Sequence, residues 1–239
     1  MIRAAKRLAF FLLASLALTG QAHAQAYQCR IPTAPQSVPR AEQDGPTRQM
    51  PVNGYILALS WSPEFCRGRE NNSRNASQCS GRNGRFGFIV HGLWPNGRGD
   101  AYPQWCPARR QPSPAIIRQN MCMTPDASLL SHEWNKHGSC MVARPETYFR
   151  VTQILWNSLR WPDFDRISRR EDLTAGDIRQ AFASANPHWE TEHIGIRLNN
   201  RGWLREMRLC YARDFKPARC TSRQYGADDD EAVSIWRGL

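Results

Sequence analysis

The segment Ser131–Cys140, SHEWNKHGSC, brings two histidines, a glutamate and a lysine within six residues. Side chains of these types bind a metal ion or move protons. Zinc proteases use two histidines four residues apart on one helix face, whereas His132 and His137 lie five apart, about 140° around a helix. The cysteines show no ligand spacing either, since no Cys-x-x-Cys occurs. The pattern argues against a metal site, and we expect neither a metal nor another cofactor.

Proton transfer fits the same segment better. On a helical wheel, Lys136 lies about 40° from His132. Glu133 lies about 100° and His137 about 140° from the same reference. All four side chains therefore share one flank without converging on one ion. A base, an acid and a cation facing a common space suit phosphoryl transfer, in which protons move and negative charge builds on the phosphorane oxygens.

Such a reaction needs a second proton-transfer group, and His91 is the best candidate. It ends the alternating segment RFGFIVHGLWP, which predicts a strand over Arg85–Pro95. Trp94 follows closely, and an imidazole beside an indole suits a site where a nucleic acid base stacks. The alternative is a core histidine with a structural role. The helix motif makes us favour catalysis, whereas His188 and His193 lie outside any motif and are expected to be loop histidines.

The elements that must position these groups are readable from local patterns. YILALSW predicts a buried strand over Tyr55–Trp61. Thr124 as N-cap and the following proline predict a helix over Pro125–His137, with Gly138 as its C′ residue.

The rest of the chain completes the predicted fold class. We expect a polar surface loop over 67–84, a helix over Pro145–Leu159, and a helix from Thr174 to Ala185. IGIRLNNRGWLREMRLCYA predicts two further strands around a turn. Together these elements indicate an α+β fold, a single domain with a central antiparallel sheet flanked by helices.

The N-terminus reads as a targeting segment. Residues 1–24 combine basic residues, an apolar stretch and Ala-His-Ala, which predicts a signal peptide cleaved after Ala24; the alternative is a retained membrane anchor. A proline-rich arm should follow over 25–53, and the catalytic domain over 54–239. Export to the periplasm or outside the cell also suits the eight cysteines, which should form four disulfides. Sequence patterns alone leave 105 pairings open. The net charge of +11 suits a polyanionic partner.

Three segments resemble the ribonuclease T2 family: ILALSWSPEFC, FIVHGLWPN and HEWNKHGSC, in the family's order. The resemblance implies a metal-independent endoribonuclease that acts on single-stranded RNA. Separately, we expect the protein to be a monomer. It implies transphosphorylation to a 2′,3′-cyclic phosphate, which is then hydrolysed to a 3′-phosphate.

The resemblance also implies a role for each site residue. His137 corresponds to the base on the 2′-hydroxyl and His91 to the acid on the 5′-oxygen. Glu133 and Lys136 would stabilise the pentacoordinate phosphorus, and His132 would hold the phosphate.

A base site is implied as well. Trp94 matches the family's indole beside the base, and Tyr102 is a second candidate for stacking. Asn96 stands where some relatives have an aspartate that helps to select the base, so the base preference stays open. The resemblance further suggests four disulfides: Cys66–Cys79, Cys106–Cys140, Cys210–Cys220 and, by elimination, Cys29–Cys122.

Two other functions remain as alternatives. One is a noncatalytic, basic RNA-binding module on the same scaffold. The other is a metal-dependent nuclease or phosphatase. The first does not account for the complete set of proton-transfer residues, and the second lacks suitable ligand spacing.

Overall fold

The protein is described by a computed structural model over residues 29–30 and 37–238. The predicted signal peptide, and residues 25–28 and 31–36 of the predicted arm, lie outside the described residues. Within the described residues no helix is long and apolar enough to cross a membrane.

A four-stranded antiparallel sheet forms the centre of the fold, with the strand order β2-β1-β4-β3. The strands are β1, β2, β3 and β4, at Gly54–Trp61, Phe88–Asn96, Ile194–Leu198 and Leu204–Ala212. Each of the four predicted strands is present. The predicted class, an antiparallel sheet with helices in one domain, is confirmed.

The described part of the chain forms eight α-helices and three 3-10 turns around the sheet. The helices α1 to α8 span Ser62–Cys66, Ala76–Cys79, Pro114–Asn120, Ala127–Lys136, Pro145–Asn157, Phe164–Ile167, Ala175–Ala185 and Ser222–Tyr225. The 3-10 turns span Ser73–Asn75, Gly138–Cys140 and Thr191–His193. The polar loop predicted over 67–84 therefore contains two short helical segments. Helix α3 was not predicted, although Ser113 as N-cap and Pro114 at N1 are a usual start signal.

The two faces of the sheet have different neighbours. Leu57 and Leu59 of β1 point into the main hydrophobic core, which contains Trp134 of α4 and Tyr148 of α5. The alternate residues of β1 point to the opposite face, because successive side chains of a strand alternate. These residues are Ile56, Ala58 and Ser60. That second face carries the candidate site.

The helix that carries SHEWNK starts later than predicted. Asp126, rather than Thr124, is its N-cap, and the Asp126 carboxylate accepts hydrogen bonds from the backbone of Ser128 and Leu129. Thr124 instead donates its hydroxyl hydrogen to the carbonyl of Val90, at 2.7 Å. The prediction was wrong because a threonine before proline can bond outside its own helix, and this bond ties the helix start to β2.

Gly138 is required for packing rather than for a left-handed cap. It follows the C-cap residue His137 and begins a 3-10 turn. A Cβ at Gly138 would lie 2.7 Å from the Trp134 ring and 2.8 Å from the Tyr148 ring. The absence of a side chain lets the end of α4 approach the core closely. The prediction for Thr174, by contrast, is confirmed, since it caps α7 with a capping box.

Four disulfides are present, with the same pairings that the family resemblance suggested: Cys29–Cys122, Cys66–Cys79, Cys106–Cys140 and Cys210–Cys220. Two of them hold parts of the site. Cys106–Cys140 joins the loop after β2 to the turn that follows α4. Cys29–Cys122 joins the N-terminal arm to the segment before α4.

Candidate active site

A β-bulge in β2 aims His91 at the second face of the sheet. Gly92 pairs with Ala58 and Val90 pairs with Leu59, so His91 is the extra residue between them. Such bulges re-aim side chains and often lie beside active sites. Before the bulge, Ile89 lies on this face of the sheet. After the bulge, Gly92 and every second residue that follows it lie on this face.

Helix α4 brings the rest of the predicted site to the same place. A cavity of about 390 Å³ is lined by every predicted catalytic and substrate-binding residue. These residues are His91, Trp94, Asn96, Tyr102, His132, Glu133, Lys136 and His137. The expected common flank of the helix therefore faces β2 across one cavity.

Trp94 lies between the two principal histidines. Its ring centroid is 5.1 Å from that of His91 and 5.5 Å from that of His137. Its indole Nε1–H donates a 2.7 Å hydrogen bond to Oε2 of Glu133. The indole thus organises the site as well as offering a ring face to the cavity.

His137 is suited to accept a proton. It is only 6% exposed. Burial, and then the positive charges of Lys136, His132 and His91, hold its pKa well below the usual value. Its Nδ1 has no hydrogen-bond partner among the described residues. A neutral imidazole at neutral pH follows from these surroundings, and this is the form a general base requires.

His91 has the opposite electrostatic environment. Burial alone would lower its pKa, but the hydrogen bond with Glu206 and the charges of Glu133 and Glu206 outweigh burial and raise it. Nδ1 lies 3.0 Å from Oε2 of Glu206, and Nε2 lies 3.7 Å from Oε1 of Glu133. The protonated form, which a general acid requires, is therefore favoured.

Glu133 is a buried carboxyl group at the centre of the site. It is 3% exposed, and burial raises its pKa to about 7 against the lowering effects of the His91 charge and the Trp94 hydrogen bond. Gly92 makes this arrangement possible. A Cβ at Gly92 would lie 2.7 Å from the carboxyl carbon of Glu133 and 2.6 Å from the indole nitrogen of Trp94. Glycine is thus needed here for close approach.

Sequence reasoning missed two carboxylates that contact predicted site residues. Glu206 lies on β4, and Asp44 lies on the N-terminal arm. Asp44 Oδ2 is 2.7 Å from Lys136 Nζ and 3.8 Å from His132 Nε2. Asp44 Oδ1 accepts a 3.0 Å hydrogen bond from the indole of Trp105. Neither carboxylate belongs to a recognisable local motif, although Glu206 lies in a predicted strand where a charged residue could have been noticed.

A second cavity of about 600 Å³ adjoins the first, and His91, His132 and Asp44 line both. Ser60, Ile89 and Glu206 form part of its wall. The cleft therefore extends to both sides of the His91 imidazole, which suits a chain-like substrate that continues past the reacting atom.

The potential metal ligands in the described residues lie elsewhere. Glu190, Glu192 and His193 have ligand atoms within 4.8 Å of one another. None of them lines either cavity. The cavity itself is built for hydrogen bonding and proton transfer by histidine, carboxyl and ammonium groups.

Comparison with known proteins identifies the family. The ribonuclease T2 family model matches residues 52–220. The chain belongs to the ribonuclease T2 family. Membership confirms the resemblance drawn from the three sequence segments and the predicted enzyme class, an endoribonuclease.

Bacterial relatives agree with this membership, and a solved structure shares the fold. A probable ribonuclease of Haemophilus influenzae is 32% identical over 195 residues, covering 77% of this chain and 66% of that protein. A ribonuclease of Aeromonas hydrophila is 41% identical over 161 residues, covering 65% of this chain and 70% of that protein. The RNase-related protein from Calystegia sepium has the same fold, with a TM-score of 0.61 at 20% identity over 78% of this chain and 98% of that one.

Proposed function

We propose that this protein cleaves single-stranded RNA by metal-independent transphosphorylation, with His137 as general base and His91 as general acid. One observation carries the proposal: two histidines border one indole in one cavity, and their environments shift their pKa values in opposite directions. When the surroundings push the pKa values of two groups apart, one group can be an acid and the other a base at the same pH.

In the first step, the 2′-hydroxyl oxygen attacks the adjacent phosphorus, and its proton passes to His137. The bond from phosphorus to the 5′-oxygen breaks, and His91 gives that oxygen its proton. The products are a 2′,3′-cyclic phosphate and a free 5′-hydroxyl. In the second step the roles reverse: His91 takes a proton from water, the water oxygen attacks phosphorus, and His137 protonates the departing 2′-oxygen to leave a 3′-phosphate.

The remaining polar groups stabilise the charge that develops on the phosphorane. The Lys136 ammonium supplies a positive charge at the cavity wall, and His132 supplies a hydrogen-bond donor beside it. Burial raises the pKa of Glu133 to about 7, so this carboxyl group can take up a proton and donate it in a hydrogen bond to a phosphoryl oxygen.

The opposite wall offers a place for a base. Trp94 and Tyr102 present rings to the cavity, and Asn96 supplies an amide that both donates and accepts. The guanidinium of Arg48 lies 4.8 Å from the centre of the Tyr102 ring. We assign the base that precedes the scissile phosphate to this wall and leave its identity open.

Export and monomeric action complete the proposal. The pattern of residues 1–24 and the four disulfides favour an oxidising compartment, the periplasm or the exterior. We propose 54–239 as the catalytic domain and 25–53 as an arm that joins it.

The function is tested by incubating the protein with single-stranded RNA in excess EDTA. We expect rapid cleavage and products that end in 2′,3′-cyclic phosphate, because no step needs a metal. A parallel preparation of His137→Ala controls for contaminating nucleases. An RNA-binding module would leave the RNA intact, and a metal-dependent nuclease would cut only after metal is restored; both outcomes contradict the proposal.

A further inference from the structure

We propose that Glu206 is a positioning residue for His91: its buried carboxylate fixes which ring nitrogen faces the substrate and keeps the imidazole in its acid form. This inference rests on the assignment of His91 as general acid. Glu206 touches neither of the atoms that react, so it acts through His91.

The sheet brings Glu206 to His91 across a whole strand. β1 lies between β2 and β4, and Ser60 of β1 is the register partner of Glu206. Its neighbour on this face, Ala58, pairs with Gly92 next to the bulge. The small side chains of Ala58 and Ser60 leave room for a carboxylate from β4 to reach an imidazole from β2. A larger residue at Ser60 would separate the pair.

Arg208 holds the Glu206 carboxylate in the required orientation. Its Nε donates a 2.8 Å hydrogen bond to Oε1 of Glu206, so Oε2 is left to accept from Nδ1 of His91 at 3.0 Å. Because Nδ1 carries its proton toward Glu206, Nε2 is the nitrogen on the side of Glu133 and the cavity. A hydrogen bond on one ring nitrogen commonly fixes the chemistry of the other.

The surroundings of Glu206 favour its charged form. Although burial opposes ionisation, the bonds and charges of His91 and Arg208 lower the pKa of Glu206 to about 2. Other charged or titratable groups also face His91 from the packed elements. They are Glu133, His132 and His137 of the α4 region, Arg208 of β4, and Arg40, Glu42 and Asp44 of the arm. Glu206 makes the closest bond among the contacts of His91 with charged groups in the described residues.

The first test replaces Glu206 by glutamine, which keeps the shape and removes the charge. The pKa of His91 should fall, so the alkaline limb of kcat/KM for RNA should move to lower pH. At acidic pH, the variant should be nearly as active as the wild type. Between the His91 pKa of the variant and that of the wild type, the variant should lose activity about tenfold per pH unit. A nitrophenyl ester of a nucleoside 3′-phosphate needs no acid, and its cleavage should change little.

Titration of the His91 ring signals by NMR separates this inference from the proposed function. A fall in the His91 pKa in Glu206→Gln with no change in the alkaline limb would show that Glu206 acts on His91 but that His91 is not the acid. An unchanged His91 pKa, or an equal loss on both substrates at every pH, would overturn the positioning role. Glu64→Gln is the matched control, since the Glu64 carboxylate is also largely shielded from solvent and near arginines but lines neither cavity.

Arg208→Gln provides a second variant that does not depend on the folding of the first. The charge of Arg208 lowers the pKa of His91. The glutamine amide can still donate to Oε1 of Glu206. Removal of the charge alone should therefore move the alkaline limb to higher pH, opposite to the effect of Glu206→Gln. A shift in the same direction as Glu206→Gln would contradict the electrostatic account.

A separate observation concerns the arm, and it points to Asp44 as an internal occupant of the phosphate position. Its carboxylate is placed against Lys136 and His132, the two groups assigned to the phosphate. Asp44 precedes residue 52, where the match to the family model begins. An anionic group of the chain therefore sits where the anionic group of the substrate must bind.

The arm is anchored on both sides of Asp44. Ser131 of α4 donates to the carbonyl of Pro39 at 2.6 Å, and Gln104 donates to the carbonyl of Pro46 at 2.8 Å. The Asp44 side chain itself remains 50% exposed. Exposed ion pairs contribute little stability, so a phosphate can displace the carboxylate at modest cost. That cost should appear as weaker substrate binding.

Asp44→Asn should lower KM for RNA about two- to fivefold, the range of an exposed ion pair, and leave kcat nearly unchanged. Inorganic phosphate should also inhibit this variant at lower concentration. Glu171→Gln makes the same change in net charge at an exposed residue that lines neither cavity, and it controls for the overall field. An increase in KM, a fall in kcat, or an equal effect in the control would overturn the assignment. Binding of a fully 2′-deoxy oligonucleotide measures the same effect without catalysis, so this test is independent of the proposed mechanism.

Discussion

Replacing either His91 or His137 by alanine is expected to reduce kcat/KM for RNA by about 10²–10⁴-fold. Each histidine moves one proton in the same transition state, so the double variant should be little worse than the worse single variant. Steady-state kinetics on a short single-stranded RNA measures all three. Retention of activity within about tenfold of the wild type by either single variant would contradict the two-histidine mechanism.

Controls for this prediction come from the same chain. His188→Ala removes a histidine that lines neither cavity and should leave activity unchanged. Binding of a 2′-deoxy oligonucleotide should survive in His91→Ala, because Lys136 and His132 remain. Loss of binding together with activity would indicate a structural defect instead of a catalytic one.

A single 2′-deoxy nucleotide in an RNA oligonucleotide should abolish cleavage at its own 3′ linkage. The proposed nucleophile is the 2′-hydroxyl, and this substitution removes it while leaving the phosphate and both flanking bases in place. Neighbouring linkages should still be cut, which provides the control within the same molecule. Gel mapping of the end-labelled oligonucleotide reads both. Cleavage at the substituted linkage would require water as the nucleophile and would exclude transphosphorylation.

The parts of the site that follow from local sequence were predictable. Glu133 and Lys136 lie on one helix with the histidines beside them, and helical geometry alone places them on one flank. Likewise, alternation of apolar residues is enough to predict β2 and the neighbourhood of His91. Family resemblance added the roles and the disulfide pairs, which spacing alone leaves open.

The parts that depend on tertiary structure were not predictable. The bulge at His91 shifts by one residue which side chains of β2 point to each face of the sheet. No residue pattern in FIVHGLWPN marks this bulge. Glu206 reaches His91 from 115 residues away, through the pairing of three strands. Asp44 lies in a proline-rich arm whose path over the domain is set by long-range contacts such as that between Ser131 and Pro39. The N-cap error at Thr124 has the same origin, because its hydroxyl bonds to a different element.

The assignment of the acid and the base is tested most directly by changing the leaving group. A nitrophenyl ester of a nucleoside 3′-phosphate still needs a base for its 2′-hydroxyl, but its leaving group departs without protonation. For each variant, its rate is divided by the wild-type rate on the same substrate. This ratio should be much higher on the ester than on RNA for His91→Ala, and it should stay low on both substrates for His137→Ala. Rescue of His137→Ala alone would reverse the two assignments, and rescue of neither would show that His91 does not protonate the leaving oxygen.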